Sequence, residues 1–126
     1  MKTINDFTQA KVTIGEMAVL LNIHQRTLRI YDKENILVPK RNTNNRRYYS
    51  AEDFEKARLI CFLMRNLAMN ISAVKFILAI LEKYKIRPEN YIEYVNEIAN
   101  SANIDINTQK LNLEKNARKG RKSIKN

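Results

Sequence analysis

A mostly α-helical chain is what the sequence predicts: a winged helix-turn-helix with a small β-hairpin wing, followed by further helices and a basic tail. Three observations carry it. Thr13-Ile14-Gly15-Glu16 and Ser50-Ala51-Glu52-Asp53 are capping boxes, in which the hydroxyl satisfies an amide orphaned by the first helical turn and the acid reaches back. Apolar residues recur at helical spacing in several separate stretches. Between two of these stretches lies an asparagine-rich turn flanked by short basic and aromatic runs, which is hairpin chemistry.

Taken in order, residues 1–11 show no periodicity and read as a loose leader. The first helix opens at Thr13, with Ile14, Met17, Ala18 and Leu21 on one face, and Asn22 can take the left-handed conformation that turns the chain. The second helix is expected from about His24 to Glu34, Ile23 and Leu28 forming a staple, Leu28 and Tyr31 facing inward, and Asn35 as its C-cap. Val38–Arg41 and Arg46–Tyr49 then read as two strands around Asn42-Thr43-Asn44-Asn45, with one of the two tyrosines in the core. Ser50 opens a third helix running to about Leu67, with a broad apolar face that includes Phe54, Ala57, Ile60, Leu63 and Met64. Asn70 caps a fourth, with Ile71, Val74, Leu78 and Leu81 in a row, and Pro88 suits the first turn of a fifth. There Tyr91, Val95, Ile98 and Ala102 form a narrow row that a domain of this size lacks the surface to cover, so Tyr91, Val95 and Ile98 are expected to pair protomers. From Asn103 onward the chain turns polar, then basic.

The net charge of +10 is concentrated in two places. Residues 24–49 hold seven Lys/Arg against two acids, and residues 110–126 hold seven against one. Basic patches of this kind favour polyanion partners, because each neutralised phosphate releases condensed counterion. Two short helices joined by a tight turn place the second in a major groove. Its outward Gln25, Arg26, Arg29 and Lys33 offer donors to base edges and phosphates, although the same face also fits a merely solvated helix. The wing adds Lys40, Arg41, Arg46, Arg47 and Tyr48, in position to touch the backbone. One histidine, one cysteine, two glycines and no carboxylate–histidine cluster leave no visible catalytic arrangement and no metal set, so neither an enzyme nor a bound cofactor is expected. Cys61, alone in an apolar run, reads as a small packed thiol, and the longest apolar runs fall far short of the ~20 residues that span a bilayer. A cytoplasmic, nucleoid-associated protein is the expectation.

Ile14-Gly15-Glu16-Met17-Ala18, Arg26-Thr27-Leu28-Arg29-Ile30-Tyr31-Asp32 and Arg47-Tyr48-Tyr49-Ser50-Ala51-Glu52-Asp53 stand in the order and spacing of the MerR family of transcription regulators, which residues 12–82 resemble. The resemblance implies that Gln25, Arg26, Thr27 and Arg29 face the major groove, that Tyr31 and Arg47 touch phosphates, that Lys40 and Arg41 lie on the wing, and that Leu28, Phe54 and Leu63 are core. Ile30, Asn35 and His24 depart from the aromatic, glycine and serine usual at those places. The departures weaken the start of the second helix, since histidine is a poorer cap than serine.

The expected division is a leader at 1–11, a DNA-binding domain at 12–84, a dimerisation or partner helix at 85–103 and a basic tail at 104–126. The partners implied are double-stranded promoter DNA, a second protomer, and RNA polymerase or its accessory proteins through Arg118, Lys119, Arg121 and Lys122. Three functions remain open. One is an activator that engages polymerase through the tail. Another is a repressor with a protein corepressor, since Asn70-Ile71-Ser72-Ala73-Val74 resembles the heat-shock repressor branch of the family. The third is an architectural protein that binds phosphates without reading bases.

Overall fold

A computed structural model describes residues 11–104 and residue 106, and within it the two hydroxyl caps set the frame. Thr13 Oγ1 accepts from the Glu16 amide at 3.2 Å while the Glu16 carboxylate accepts from the Thr13 hydroxyl at 2.9 Å, opening α1 (Ile14–Leu21). At the second box the Ser50 amide donates to the Asp53 carboxylate at 2.9 Å and Ser50 Oγ accepts from the Asp53 amide at 3.0 Å, opening α3 (Ala51–Arg65). Asn70 Oδ1 accepts from the Ala73 amide at 2.9 Å at the head of α4 (Ile71–Lys83). Helix α2 (Gln25–Lys33) begins at His24, whose imidazole makes no capping bond. It is one residue shorter at each end than the sequence suggests. A ring nitrogen in place of a hydroxyl leaves the first-turn amides without the usual side-chain acceptor.

The helix ends share one device. Asn22, Asn35, Lys85 and Asn103 all take positive φ, between 55° and 62°, and an isoleucine follows each of them. The amides of Ile23, Ile36, Ile86 and Ile104 donate back to Ala18, Tyr31, Leu81 and Ala99 at 2.9–3.0 Å. A left-handed residue followed by an apolar one closes the last turn and aims the apolar side chain at the helix it has just left. Asparagine tolerates this backbone better than other non-glycine residues, so Asn35 can serve where the resemblance implies glycine. Asn35 lies one residue beyond the cap, which is Glu34. Helix α3 likewise ends at Arg65, short of Leu67, where Ala68 turns left-handed and the Met69 amide donates to Leu63.

The wing is part of a three-stranded antiparallel sheet with order β1-β3-β2, built from β1 (Val12–Thr13), β2 (Lys40–Arg41) and β3 (Arg47–Tyr49). Strand β1 pairs Val12 with Tyr49 and Thr13 with Tyr48, a strand ahead of the Thr13 cap that the sequence pattern does not predict. Two residues are too short to show a period, and their partner lies far along the chain. The turn of the hairpin is organised by Asn42, whose Oδ1 accepts from the amides of Asn44 and Arg46 at 3.0 and 2.9 Å, with Asn45 at φ 62°. Arg46 belongs to this turn and not to the strand.

Helix α3 runs through the centre. Ala57, Leu59, Ile60 and Leu63 are buried in one core with Met17 of α1, Leu28 of α2, Val74 and Leu81 of α4, and Tyr49 of the sheet. Ile36 and Leu37, in the loop after α2, are fully buried in the same core, and each such side chain contributes roughly 1.5–3 kcal/mol by leaving water. A 3₁₀ turn (Pro88–Asn90) leads into α5 (Tyr91–Ser101). The expectation that Tyr91, Val95 and Ile98 form an uncovered row is corrected here. Tyr91 and Val95 are each 7% exposed and packed into the chain's own core, where the turn and α5 lie along α3. Ile98 is 53% exposed. The buried positions run 91, 95, 99, a narrower stripe than the sequence row, and α3 supplies the surface that Tyr91 and Val95 pack on.

Candidate nucleic-acid interface

Helix α2 has a high contrast between its faces. Leu28 and Tyr31 point into the core, while Gln25, Arg26, Arg29, Ile30 and Lys33 are exposed and Thr27 is half-buried. Arg29 Nη2 donates to Gln25 Oε1 at 3.2 Å, so the two groups are held one turn apart on the outer surface. Helical spacing alone produces this arrangement.

The wing splits the predicted basic residues between two faces. Cross-strand pairing sets Lys40 against Tyr48 and Arg41 against Arg47, and neighbouring residues on a strand point to opposite sides. On one side Asp32 of α2 meets both arginines: its Oδ2 accepts from Arg47 Nε at 2.9 Å and from Arg41 Nη2 at 3.4 Å. Arg41 Nη1 also donates to the Asn45 carbonyl in the turn, at 3.1 Å. On the other side the Lys11 ammonium sits 5.7 Å from the Tyr48 ring centre, a cation–π contact, and Asn42 Nδ2 donates to the Tyr48 hydroxyl at 3.1 Å. Lys40 and Arg46 are exposed. Helix α2 and the Arg41–Arg47 face of the wing are thus joined by an acid. Its signal was available, since Asp32 is one of two acids in the basic segment 24–49.

A model of the MerR HTH family of regulatory proteins matches residues 12–80, which takes in α1, α2, the wing, α3 and most of α4. The chain belongs to the MerR family. Its fold, mostly helical with a small three-stranded antiparallel sheet, is that of a winged helix-turn-helix, and the family's members are DNA-binding transcription regulators. Among solved structures, the HTH-type transcriptional regulator SkgA from Caulobacter crescentus is similar at 19% identity, over 91% of this chain and 98% of that one, with a TM-score of 0.40. A comparison with curated proteins gives no match.

For this MerR-family chain, burial bears on one contact that the resemblance implies. Tyr31 is 5% exposed, with its hydroxyl 3.5 Å from Met64 Sδ, and what surface it keeps lines a groove and not the outer face of α2 that carries Arg26 and Arg29. Burial, and then the Cys61 thiol beside it, push its phenol up to about 12. A groove of about 440 Å³ opens next to it, lined by His24, Thr27, Cys61, Met64 and Arg65 among others. Cys61 is half-buried, and burial pushes its thiol up, against the opposing pull of Arg65 and of a hydrogen bond from Tyr31, which keeps it protonated at neutral pH. The proposed partner contacts Arg118, Lys119, Arg121 and Lys122 lie outside the described residues. Among the described residues no helix is long and apolar enough to cross a membrane, and no three His, Cys, Asp or Glu side chains converge to hold a metal.

Proposed function

We propose that the protein reads specific promoter sequences in double-stranded DNA, with α2 in the major groove and the wing on the flanking backbone. The observation that carries the reading is the exposed row of Gln25, Arg26 and Arg29 on α2, with Arg29 already oriented by Gln25, beside the exposed wing residues Arg41 and Arg46. Arginine and glutamine are the side chains suited to bidentate contacts with guanine and adenine, and each such pair discriminates by roughly 1–3 kcal/mol. Lys33, Lys40, Arg41 and Arg46 serve phosphates, which set register without reading bases, while Arg47 is paired with Asp32. The protein works on the nucleoid in the cytoplasm, as a dimer or with partner proteins, and as an activator whose basic tail engages RNA polymerase or its accessory proteins. Repression with a protein corepressor is the second reading, favoured by the resemblance of Asn70–Val74, the capped start of α4, to the heat-shock repressor branch.

Selection of duplexes from a random pool, followed by competition against bulk DNA, tests the central statement. A selected site bound ~10³-fold or more over bulk supports it, and a ratio near one refutes it in favour of an architectural binder. Reporter output from that site, with the full chain and with a chain ending at Leu113, separates the activator from the repressor: loss of activation on truncation supports the tail's recruiting role.

A further inference from the structure

Asp32 places a negative charge inside the surface proposed to meet DNA, where an acid repels phosphate. Arg41 and Arg47 stand directly opposite each other across β2 and β3, an arrangement that like charges destabilise. One Asp32 oxygen accepts from both, at 2.9 Å from Arg47 and 3.4 Å from Arg41. The two bonds are unequal. Arg47 is the less exposed partner, at 23% of its side chain against 39% for Arg41, and it makes the shorter contact.

We infer that Asp32 is a positioning residue for DNA reading: it clamps the wing to the recognition helix through Arg47 and holds Arg41 until a phosphate takes its place. This rests on the proposed DNA-reading role. Arg47 stays on Asp32 and fixes the angle between wing and helix, so that phosphates bound by the wing set the register of α2. Arg41, with the longer and more exposed bond, swings to the backbone. Its departure gives up the contact with Asp32, so Arg41 exchanges one anion for another and its phosphate contact gains less than that of an unpaired arginine. Binding to any duplex is weakened by that exchange, and binding to a matched site recovers the loss through base contacts that only a correctly seated α2 makes.

Asp32→Asn keeps the size of the side chain and removes the charge. The log–log slope of bulk-duplex affinity against salt is expected to steepen by up to about one, which makes the gain over wild type up to about fourfold larger at 50 mM than at 200 mM salt. The ratio of selected-site to bulk affinity is expected to fall at least about fivefold, the lower end of what one bidentate contact discriminates. Asp32→Glu should retain the wild-type slope. An Asp32 that only stabilises the fold would lower the thermal midpoint and leave the slope of the folded variant unchanged, and that result overturns the inference. Should Asp32→Asn not fold, Arg41→Gln and Arg46→Gln decide it. Arg46 makes no ion pair among the described residues, so its loss should flatten the bulk slope more than loss of Arg41, and equal flattening overturns the inference. If wild-type protein enriches no sequence from the pool, the DNA-reading role fails, while the slopes on bulk duplex still decide the clamp.

Discussion

Tyr49→Phe should stabilise the protein, although it removes only one oxygen from the centre of the sheet. Tyr49 is 0% exposed, and its hydroxyl finds no hydrogen-bond partner among the described residues. A buried polar group without a partner costs roughly 1–3 kcal/mol, and phenylalanine keeps the ring while deleting that group, so a net gain of about 1 kcal/mol is expected after the small loss of packed volume. In a domain of this size 1 kcal/mol corresponds to a rise of roughly 4–8 °C in Tm. The pH dependence gives a second check on the same atom. Burial pushes the phenol from 10.0 up to about 12, with Arg47 pulling down and Asp32 and Asp53 pushing up. A value raised in the folded state means that the native protein holds the proton more tightly. The stability it contributes is complete below pH 10 and is lost as pH rises through about 12, on the order of 2–3 kcal/mol in all. Urea unfolding at pH 7 and pH 11 measures both effects. The variant should be more stable than wild type at pH 7, and it should lose less on going to pH 11. Tyr31, also near 12, accounts for part of the decline that remains. A variant less stable than wild type by more than about 0.5 kcal/mol at pH 7, with the same alkaline decline, would show that the hydroxyl is satisfied and the reasoning wrong.

Arg29→Ala should weaken binding to a selected site by about 1–3 kcal/mol with little effect on folding; unaltered affinity in a gel-shift titration would remove Arg29 from the reading surface. Arg46→Ala in the wing turn should instead lower affinity for all duplexes alike and flatten the salt dependence by about one unit of slope, and a loss confined to one base pair would contradict a phosphate role. Val95→Ala should cost about 1–3 kcal/mol in urea unfolding without changing the sedimenting species, whereas Ile98→Ala should stay within about 0.5 kcal/mol. A dimer that dissociates on Val95→Ala with undiminished protomer stability would restore the pairing role to that side of α5. Ending the chain at Leu113 should preserve most DNA affinity and abolish activation if the tail recruits a partner; weakened DNA binding with a flatter salt slope would make it a phosphate contact instead.

Local chemistry written in short stretches was legible without coordinates. The Thr13 and Ser50 capping boxes, the Asn70 cap, the left-handed Asn22 and the inward Leu28 and Tyr31 are each dictated by residues within about one or two helical turns, and the structure has them where the sequence puts them. The exposed basic face of α2 follows from spacing alone, because residues three and four apart share a face whatever the helix packs against. Contacts between distant segments were not legible. A row of apolar residues at 91, 95 and 98 shows that a face wants covering but not what covers it, and α3 of the same chain fills that place for Tyr91 and Val95. A two-residue strand such as Val12–Thr13 carries no period and exists only because β3 is beside it. Tyr31 could be read as inward from its helix or as a phosphate contact from its family, and burial against Met64 and Cys61 chose between them. The joint between wing and helix at Asp32 needed the fold as well, since side chains nine and fifteen residues apart meet at one oxygen only when the hairpin folds back onto α2. Sequence by itself determined the helices, their caps and the charge they display, because those depend on neighbours along the chain; tertiary structure alone decided which apolar faces are satisfied within the protomer and which arginines are held, because those depend on neighbours in space.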